Sequence, residues 1–253
     1  MSEAITPLPG GEREGPAAKR WEGEGCAPAA HTPHPSAADA APSLSPEGRG
    51  ALPNAKHEAY RYSNIAALHR IWHDLPAAET ITLAPGESAQ HIWLPDGSDV
   101  GVRKCTVDLA PGSSLSVFAL NSASEYGRIE LDVTVRDGAH FALHAANIAG
   151  GKATQEIVTV VRHEEPEGTS NQVVRSVLGG TSVGSYLGKV AVARNAQKVD
   201  GEQSVKAMLL DRGATANCKP ELEIYADDEK RAHVASGGEL DPDQLFYALS
   251  RGL

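Results

Sequence analysis

The chain has 253 residues, of which 41% are apolar and only 5% aromatic, with 25 glycines and a formal net charge of −10. This apolar content supplies a core for one domain, and the scarcity of large rings favours short strands and turns over a helical bundle. The acidic balance excludes a nucleic-acid-binding face, which needs surplus Lys and Arg, and no apolar run approaches the roughly 18 residues that span a bilayer. The start is not a basic-then-apolar secretory signal, so the chain reads as cytoplasmic. Cys26, Cys105 and Cys218 form no C-x-x-C pair, which argues against both a disulfide framework and a zinc knot.

Residues 1–52 are dominated by Pro, Gly, Ala, Ser and Glu and read as a disordered leader, because such a stretch buries too little apolar area to offset its ordering entropy. A helical segment is expected over 53–78. Ser63 is the predicted N-cap, and Ile65, Leu68, Trp72 and Leu75 fall on one face at spacings of three and four.

From residue 79 the grammar changes to short runs rich in Val, Ile, Leu and Thr, broken by Gly, Pro, Asn or Asp, which are strands. No helix-length amphipathic segment separates them, so βαβ crossovers are not expected. APGESAQHIWL from Ala84, APGSSLSVFAL from Ala110 and RDGAHFALHAA from Arg136 form an internal repeat, with Gly86, Gly112 and Gly138 spaced 26 residues apart. Looser echoes follow in LGGTSVGSYLGKV and DRGATANCKPEL. Periodicity alone leaves two readings. One is a β-solenoid with a glycine at a tight corner of each coil, and the other is an antiparallel sandwich with three similar turns. The core is placed at 79–236. A last helix is expected within 237–253, capped by Asp241, with Pro242 in its first turn, Gln244 three residues after the cap, and Leu245, Phe246 and Leu249 as its apolar face.

Motifs for catalysis are missing. The chain contains no phosphate-cradling G-x-x-x-x-G-K-[ST] and no H-E-x-x-H. His140 and His144 share a strand face, which suits either two metal-directed imidazoles or an ordinary solvated face. His91 lacks the second histidine of a cupin-type H-x-H, because Trp93 stands there. His163 heads HEEPEGTS, where carboxylates would raise its pKa or join it round a cation, although a Pro-stabilised turn explains the same letters. Cys218 reads as a small core residue or a thiolate ligand. His233 sits in a Gly-rich segment between the last expected strand and the final helix.

Read together, several stretches resemble the SufB/SufD family. The most specific is Lys219-Pro220-Glu221-Leu222-Glu223-Ile224-Tyr225-Ala226-Asp227-Asp228, followed by Lys230, His233, Gly238, Leu240-Asp241, Leu245-Phe246-Tyr247 and Ser250-Arg251-Gly252. Tyr60-Arg61-Tyr62 with Leu68, Val161-Arg162-His163 with Pro166 and Thr169-Ser170, and Gly184 to Val190 with Ala196-Gln197-Lys198 and Asp200 agree in order, over about residues 57 to 253. Lack of an array of SufB-type cysteines points to the SufD branch.

The resemblance implies an all-β fold, a right-handed parallel β-helix core with short flanking helices. It also implies a non-catalytic scaffold subunit of the SUF iron–sulfur assembly complex, paired with a SufB-like paralogue and served by the SufC ATPase, whose action opens the seam between the paired subunits. A nascent Fe–S cluster would form there, with His233 as this chain's ligand, transiently holding metal, and Arg231 and Cys218 as supporting residues. A reduced flavin in the complex is left open. Two departures stand out: Arg231 occupies a position that is usually Cys, and relatives continue past the Ser-Arg-Gly motif into a helical subdomain that docks the ATPase, so SufC docking is less secure than SufB pairing. The alternatives are a homodimeric β-helix protein without cluster chemistry, since a homodimer is open to the chain when alone, and a cupin-like or sugar-processing metal enzyme.

Overall fold

Among the described residues, strand grammar becomes twelve strands wound back and forth between two sheets. The computed structural model describes residues 56, 60–225, 229–239, 246–247 and 250–251. The leader lies outside the described residues. Helix α1 (Ile65–Ile71) runs into a single 3-10 turn, Trp72–Asp74. The strands are β1 (Glu79–Leu83), β2 (Ser88–Trp93), β3 (Val100–Leu109), β4 (Ser114–Asn121), β5 (Tyr126–Val135) and β6 (His140–Ala149). They continue as β7 (Thr154–His163), β8 (Thr169–Leu178), β9 (Val183–Val192), β10 (Val199–Leu209), β11 (Thr215–Ile224) and β12 (Glu229–Glu239).

Odd strands form one six-stranded sheet, β1-β3-β5-β7-β9-β11, and even strands the other, β12-β10-β8-β6-β4-β2. Every pairing within them is parallel, as in Glu79 with Cys105 and Ser114 with His140. Consecutive strands never pair, which rules out the antiparallel sandwich and leaves the β-solenoid. Each coil contributes one strand to each sheet, and inward side chains such as Leu109, Leu115, Leu131, Phe141 and Ile157 fill the space between them, fully buried. A coil on its own would leave this apolar side wet, so stacking supplies the hydrophobic stabilisation.

The 26-residue step holds for the first coils and then lengthens. Tyr126 lies 26 residues after its partner Val100, Thr169 lies 29 after His140, and Thr215 lies 32 after Val183. Part of the increase is in the strands, since β4 has 8 residues and β6 has 10. The rest is in the corners, which run from 84–87 between β1 and β2 to 193–198 between β9 and β10.

The repeated glycines are left-handed, with φ of +72° at Gly86, +67° at Gly112 and +59° at Gly138. Their N–H groups donate to the carbonyls of Pro111, Asp137 and Pro166 on the next coil at 3.0, 2.8 and 3.0 Å. The same corner continues without glycine, because Glu167 (φ +57°) and Lys198 (φ +59°) are left-handed too, joined by an ion pair of 3.2 Å.

The N-terminal segment lies on the outer face of the odd-strand sheet. Asn64, one residue later than expected, caps α1 by accepting from the Ala67 N–H at 3.1 Å. Ser63 is diverted: its hydroxyl donates to Glu156 Oε2 at 2.8 Å. Leu68 and Tyr60 pack on Tyr126, and beneath them runs a buried ionic cluster. Arg128 bonds Glu156 and Glu130, each at 3.2 Å, Lys104 reaches Glu130 at 3.5 Å, and the Tyr126 hydroxyl donates to Glu156 at 2.5 Å. Register builds this cluster, because Lys104 pairs with Glu130 and Arg128 with Glu156 on neighbouring strands. Of the expected last helix, Phe246, Tyr247 and Ser250 are helical, and its cap residues lie outside the described residues.

Two corner glycines separate backbone strain from steric strain. A Cβ at Gly138 (φ +59°) meets nothing within 4 Å, whereas one at Gly180 (φ +68°) lies 2.7 Å from the Gly151 carbonyl oxygen. Gly138→Ala is expected to cost about 1–2 kcal/mol from φ alone, and Gly180→Ala clearly more, as measured by urea unfolding. Equal losses would show that corner stacking places no steric demand on the chain.

Candidate functional site

The last coil is an end of the solenoid among the described residues. Strands β11 and β12 are edge strands of the two sheets among the described residues. The residues of β11 are half-buried almost throughout, unlike the strands before it, whose inward positions are buried. Pro220 within β11 fits that position, since proline removes a ladder donor and belongs on edges. Outward charges decorate this edge, with Lys189 to Glu223 at 2.7 Å and Lys219 to Glu221 at 2.6 Å.

The Gly-rich segment that sequence reading left between the last strand and the final helix is itself a strand, β12, paired with β10 over eleven positions. Its glycines lower intrinsic strand preference, but the ladder of β10 satisfies their backbone groups. His233 pairs with Gln203 and Arg231 with Gly201. Both are placed here by strand position alone.

Inside the solenoid a polar tier leads to that position. The Thr159 hydroxyl donates to Gln172 Oε1 at 2.6 Å, the Tyr186 hydroxyl donates to the same oxygen at 3.1 Å, and Gln203 Nε2 donates to the Tyr186 oxygen at 2.9 Å. Gln172 and Gln203 are register partners, so the even-strand sheet carries Gln172, Gln203 and His233 at one level. Cys218 pairs with Tyr186 on the opposite sheet and packs, half-buried, against the core. The two supporting candidates therefore share the last coil with His233. Burial raises the Tyr186 pKa and keeps the phenol neutral. Gly188 makes room for it, since a Cβ there would lie 2.1 Å from the Tyr186 hydroxyl.

The remaining candidates fall elsewhere. Cys105 is a core residue near the other end, fully buried, with its thiol pushed up to about 11 by burial. His140 and His144 do share the outer face of β6, where His140 Nδ1 lies 2.7 Å from the Thr169 hydroxyl and His144 stacks on Phe118 at 5.0 Å. His91 is half-buried on β2. No three His, Cys, Asp or Glu side chains are grouped to hold a metal among the described residues.

At His163 the carboxylate reading fails, while residues 166–167 do form a turn between β7 and β8. The imidazole does not face the carboxylates beside it in sequence. It ends β7 pointing into the core, fully buried, with Nε2 2.9 Å from the Ser170 hydroxyl and Nδ1 without a partner. Desolvation lowers its pKa to about 4. Sequence reading missed Gln172, Tyr186 and Gln203, whose signal is a polar residue at an inward position of a period-two pattern.

Comparison with known proteins agrees with this geometry. The family model for the SUF system FeS cluster assembly SufBD core domain matches residues 91–253. The chain is 35% identical over 95 residues to the iron–sulfur cluster assembly protein SufD of Escherichia coli, covering 38% of this chain and 22% of that protein. It is 32% identical over 106 residues to a SufBD family protein of Synechocystis, covering 42% and 23%. It is 38% identical over 91 residues to the chloroplastic protein ABCI7 of Arabidopsis thaliana, covering 36% and 19%. The aligned stretches thus span about a fifth of each relative. No helix among the described residues is long and apolar enough to cross a membrane.

His163 makes a pH prediction. Its folded pKa of about 4 lies below the ordinary 6.5, so the unfolded chain binds more protons in that window and stability falls as pH drops from about 6.5 towards 4. The loss is on the order of 3 kcal/mol at one pKa unit per 1.36 kcal/mol. Urea unfolding between pH 7 and 4 is expected to show a shallower decline for His163→Gln than for the parent. Parallel curves would mean that burial does not penalise the imidazolium.

The parallel solenoid, the edge strands bearing the most specific motif and the family match converge: this chain belongs to the SufBD core family of iron–sulfur cluster assembly proteins.

Proposed function

We propose that the chain is a non-catalytic scaffold subunit of the SUF complex that pairs with a SufB-like paralogue through its open last coil. The observation that carries this reading is the strand β12, an edge among the described residues, which holds His233 in register with Gln203 at the level of the interior polar tier. An edge strand exposes unpaired backbone donors and acceptors, which a sister solenoid can satisfy by continuing the ladder.

His233 then contributes an imidazole to a nascent cluster, the cargo of the complex. Neutral imidazole is a borderline ligand that suits iron and competes less strongly for it than thiolate, which fits a scaffold that must release what it builds. Arg231, at the position two residues earlier, adds fixed positive charge that favours anionic sulfide species. Cys218, at the matching level of the opposite sheet, is a supporting thiol. The SufC ATPase serves the pair, and the complex works in the cytoplasm, with a reduced flavin as its candidate electron source.

Co-expression with the SufB-like and SufC partners, followed by pull-down and assay of bound iron and sulfide, tests the reading. The paralogue is expected to co-purify, and His233→Ala to lower iron and sulfide several-fold while pairing persists. Unchanged iron in that variant would remove the ligand role. Failure to pair would remove the subunit assignment.

A further inference from the structure

The polar tier inside the solenoid is satisfied at one end and unfinished at the other. Gln172 Oε1 takes two hydrogens, from the Thr159 hydroxyl at 2.6 Å and the Tyr186 hydroxyl at 3.1 Å. Tyr186 has one hydrogen to give, so towards Gln203 its oxygen is an acceptor, and Gln203 Nε2 donates to it at 2.9 Å. That bond orients the Gln203 amide, with its nitrogen towards Tyr186 and its oxygen away. Gln203 Oε1 then has no hydrogen-bond partner, although the residue is only 1% exposed. A carbonyl oxygen taken out of water and left unpaired is costly and rare, which points to a role for it.

Register says which neighbours this oxygen has. On the coil before stands Gln172, level with Gln203, and Gln172 Nε2 is unpaired as well. Stacked glutamines can close such a pair along the ladder, N–H to oxygen. Here that bond is not made, so the Gln203 oxygen is not spent on the coil before. On the coil after, the position level with Gln203 is that of His233. Neighbouring strands lie about 4.8 Å apart, and register partners on parallel strands share a face, so position 233 stands one strand spacing from Gln203. The opposite sheet brings Cys218 level with Tyr186, and a thiol is a weak donor beside an imidazole.

We propose, resting on His233 as a ligand of the nascent cluster, that Gln203 is its positioning residue. Gln203 Oε1 accepts the ring N–H of His233 and fixes the tautomer, so that the lone pair of the other ring nitrogen is the one offered to iron. A neutral imidazole carries one N–H and one lone pair, and the partner of the N–H decides which nitrogen has which. Histidines that bind metals nearly always give that N–H to a carbonyl or a carboxylate.

An amide does this without charge. A carboxylate in its place would make the imidazole more basic and hold metal harder, whereas an amide orients the ring and leaves the metal bond easier to break. The tier behind Gln203 strengthens the effect, because an amide whose N–H is donated, here to Tyr186, is a better acceptor at its oxygen.

Nuclear magnetic resonance of the His233 ring nitrogens in the full chain, without metal and at a pH where imidazole is neutral, tests the arrangement. The parent is expected to show one tautomer, Gln203→Glu the same one because an acceptor remains, and Gln203→Leu the mixture of free imidazole. Tyr186→Phe removes the hydroxyl that orients the Gln203 amide and is expected to give the mixture too, which keeps the test decisive should Gln203→Leu fail to fold. A glutamine with a merely structural role would leave the tautomer unchanged in every folded variant. Mixed tautomers in the parent, loss of the single tautomer in Gln203→Glu, or its persistence in folded Gln203→Leu or Tyr186→Phe would each overturn the proposal. Failure of His233 as a ligand shows elsewhere, as unchanged iron in the co-expressed complex of His233→Ala, whatever the tautomers.

Discussion

In-register parallel stacking is the constraint on which the rest of this structure depends. Each strand is satisfied on both edges only by the strands one coil before and one coil after, and each inward side chain rests on its counterpart in those coils. A coil therefore has neither a closed hydrogen-bond ladder nor a dry core of its own. The same rule that makes the middle self-sufficient leaves the ends incomplete, and the last coil ends on an edge in both sheets among the described residues. Residues 219–224 of the family's most specific motif lie on that edge.

Stacking also explains why polar groups are tolerated inside. Thr159, Gln172, Tyr186 and Gln203 come from four different strands and meet only because register holds them at one level. A one-residue slip in β8 would turn Gln172 outward and bring Val173 in, taking from the Thr159 and Tyr186 hydroxyls the acceptor they share. The polar tier thus adds little net stability but penalises wrong registers, and so keeps the last coils aligned where alignment matters most. The Arg128 cluster does the same at the other end. Taking Arg128 and Glu156 out of water is expensive, and their contact offsets that cost only with Tyr126 and Ser63 completing the shell. The N-terminal segment is thereby fixed to one place on the odd-strand sheet.

These features also mark how far the sequence could be read. The corner glycines were legible because a left-handed corner is easiest for glycine, and Gly86, Gly112 and Gly138 repeat. The next corners use Glu167 and Lys198 in the same conformation, so the repeat fades from the sequence while continuing in space. Strand β8 was hidden because its inward positions, Ser170, Gln172, Val174, Ser176 and Leu178, are no more apolar than its outward ones. Strand β12 was hidden by its glycines. Of the two readings open for His163, the carboxylate one fails because a strand sends adjacent residues to opposite sides, so neighbours in sequence are not neighbours in space. The register placement of His233 was beyond the sequence, although its motif pointed to it through resemblance.

The contrast between the two outer faces bears on how such a solenoid behaves among other proteins. Salt-bridged rungs on the odd-strand sheet, such as Arg162 with Asp132, contribute little stability each, but they hold that face in water and discourage non-specific docking. The even-strand face has no such guard over half its width, where Ile92, Phe118, Ile148 and Met208 are exposed. Flat, apolar and repetitive, it would invite disordered association if its features were uniform along the solenoid axis, since any shift by one coil would fit as well as the correct one. They are not uniform: Phe118, His144 and Val173 differ in size along one rung, and Arg175 interrupts the apolar stretch beside Ala146. The irregularity that obscures the repeat in the sequence thus also removes the coil-by-coil match that slipped association would need.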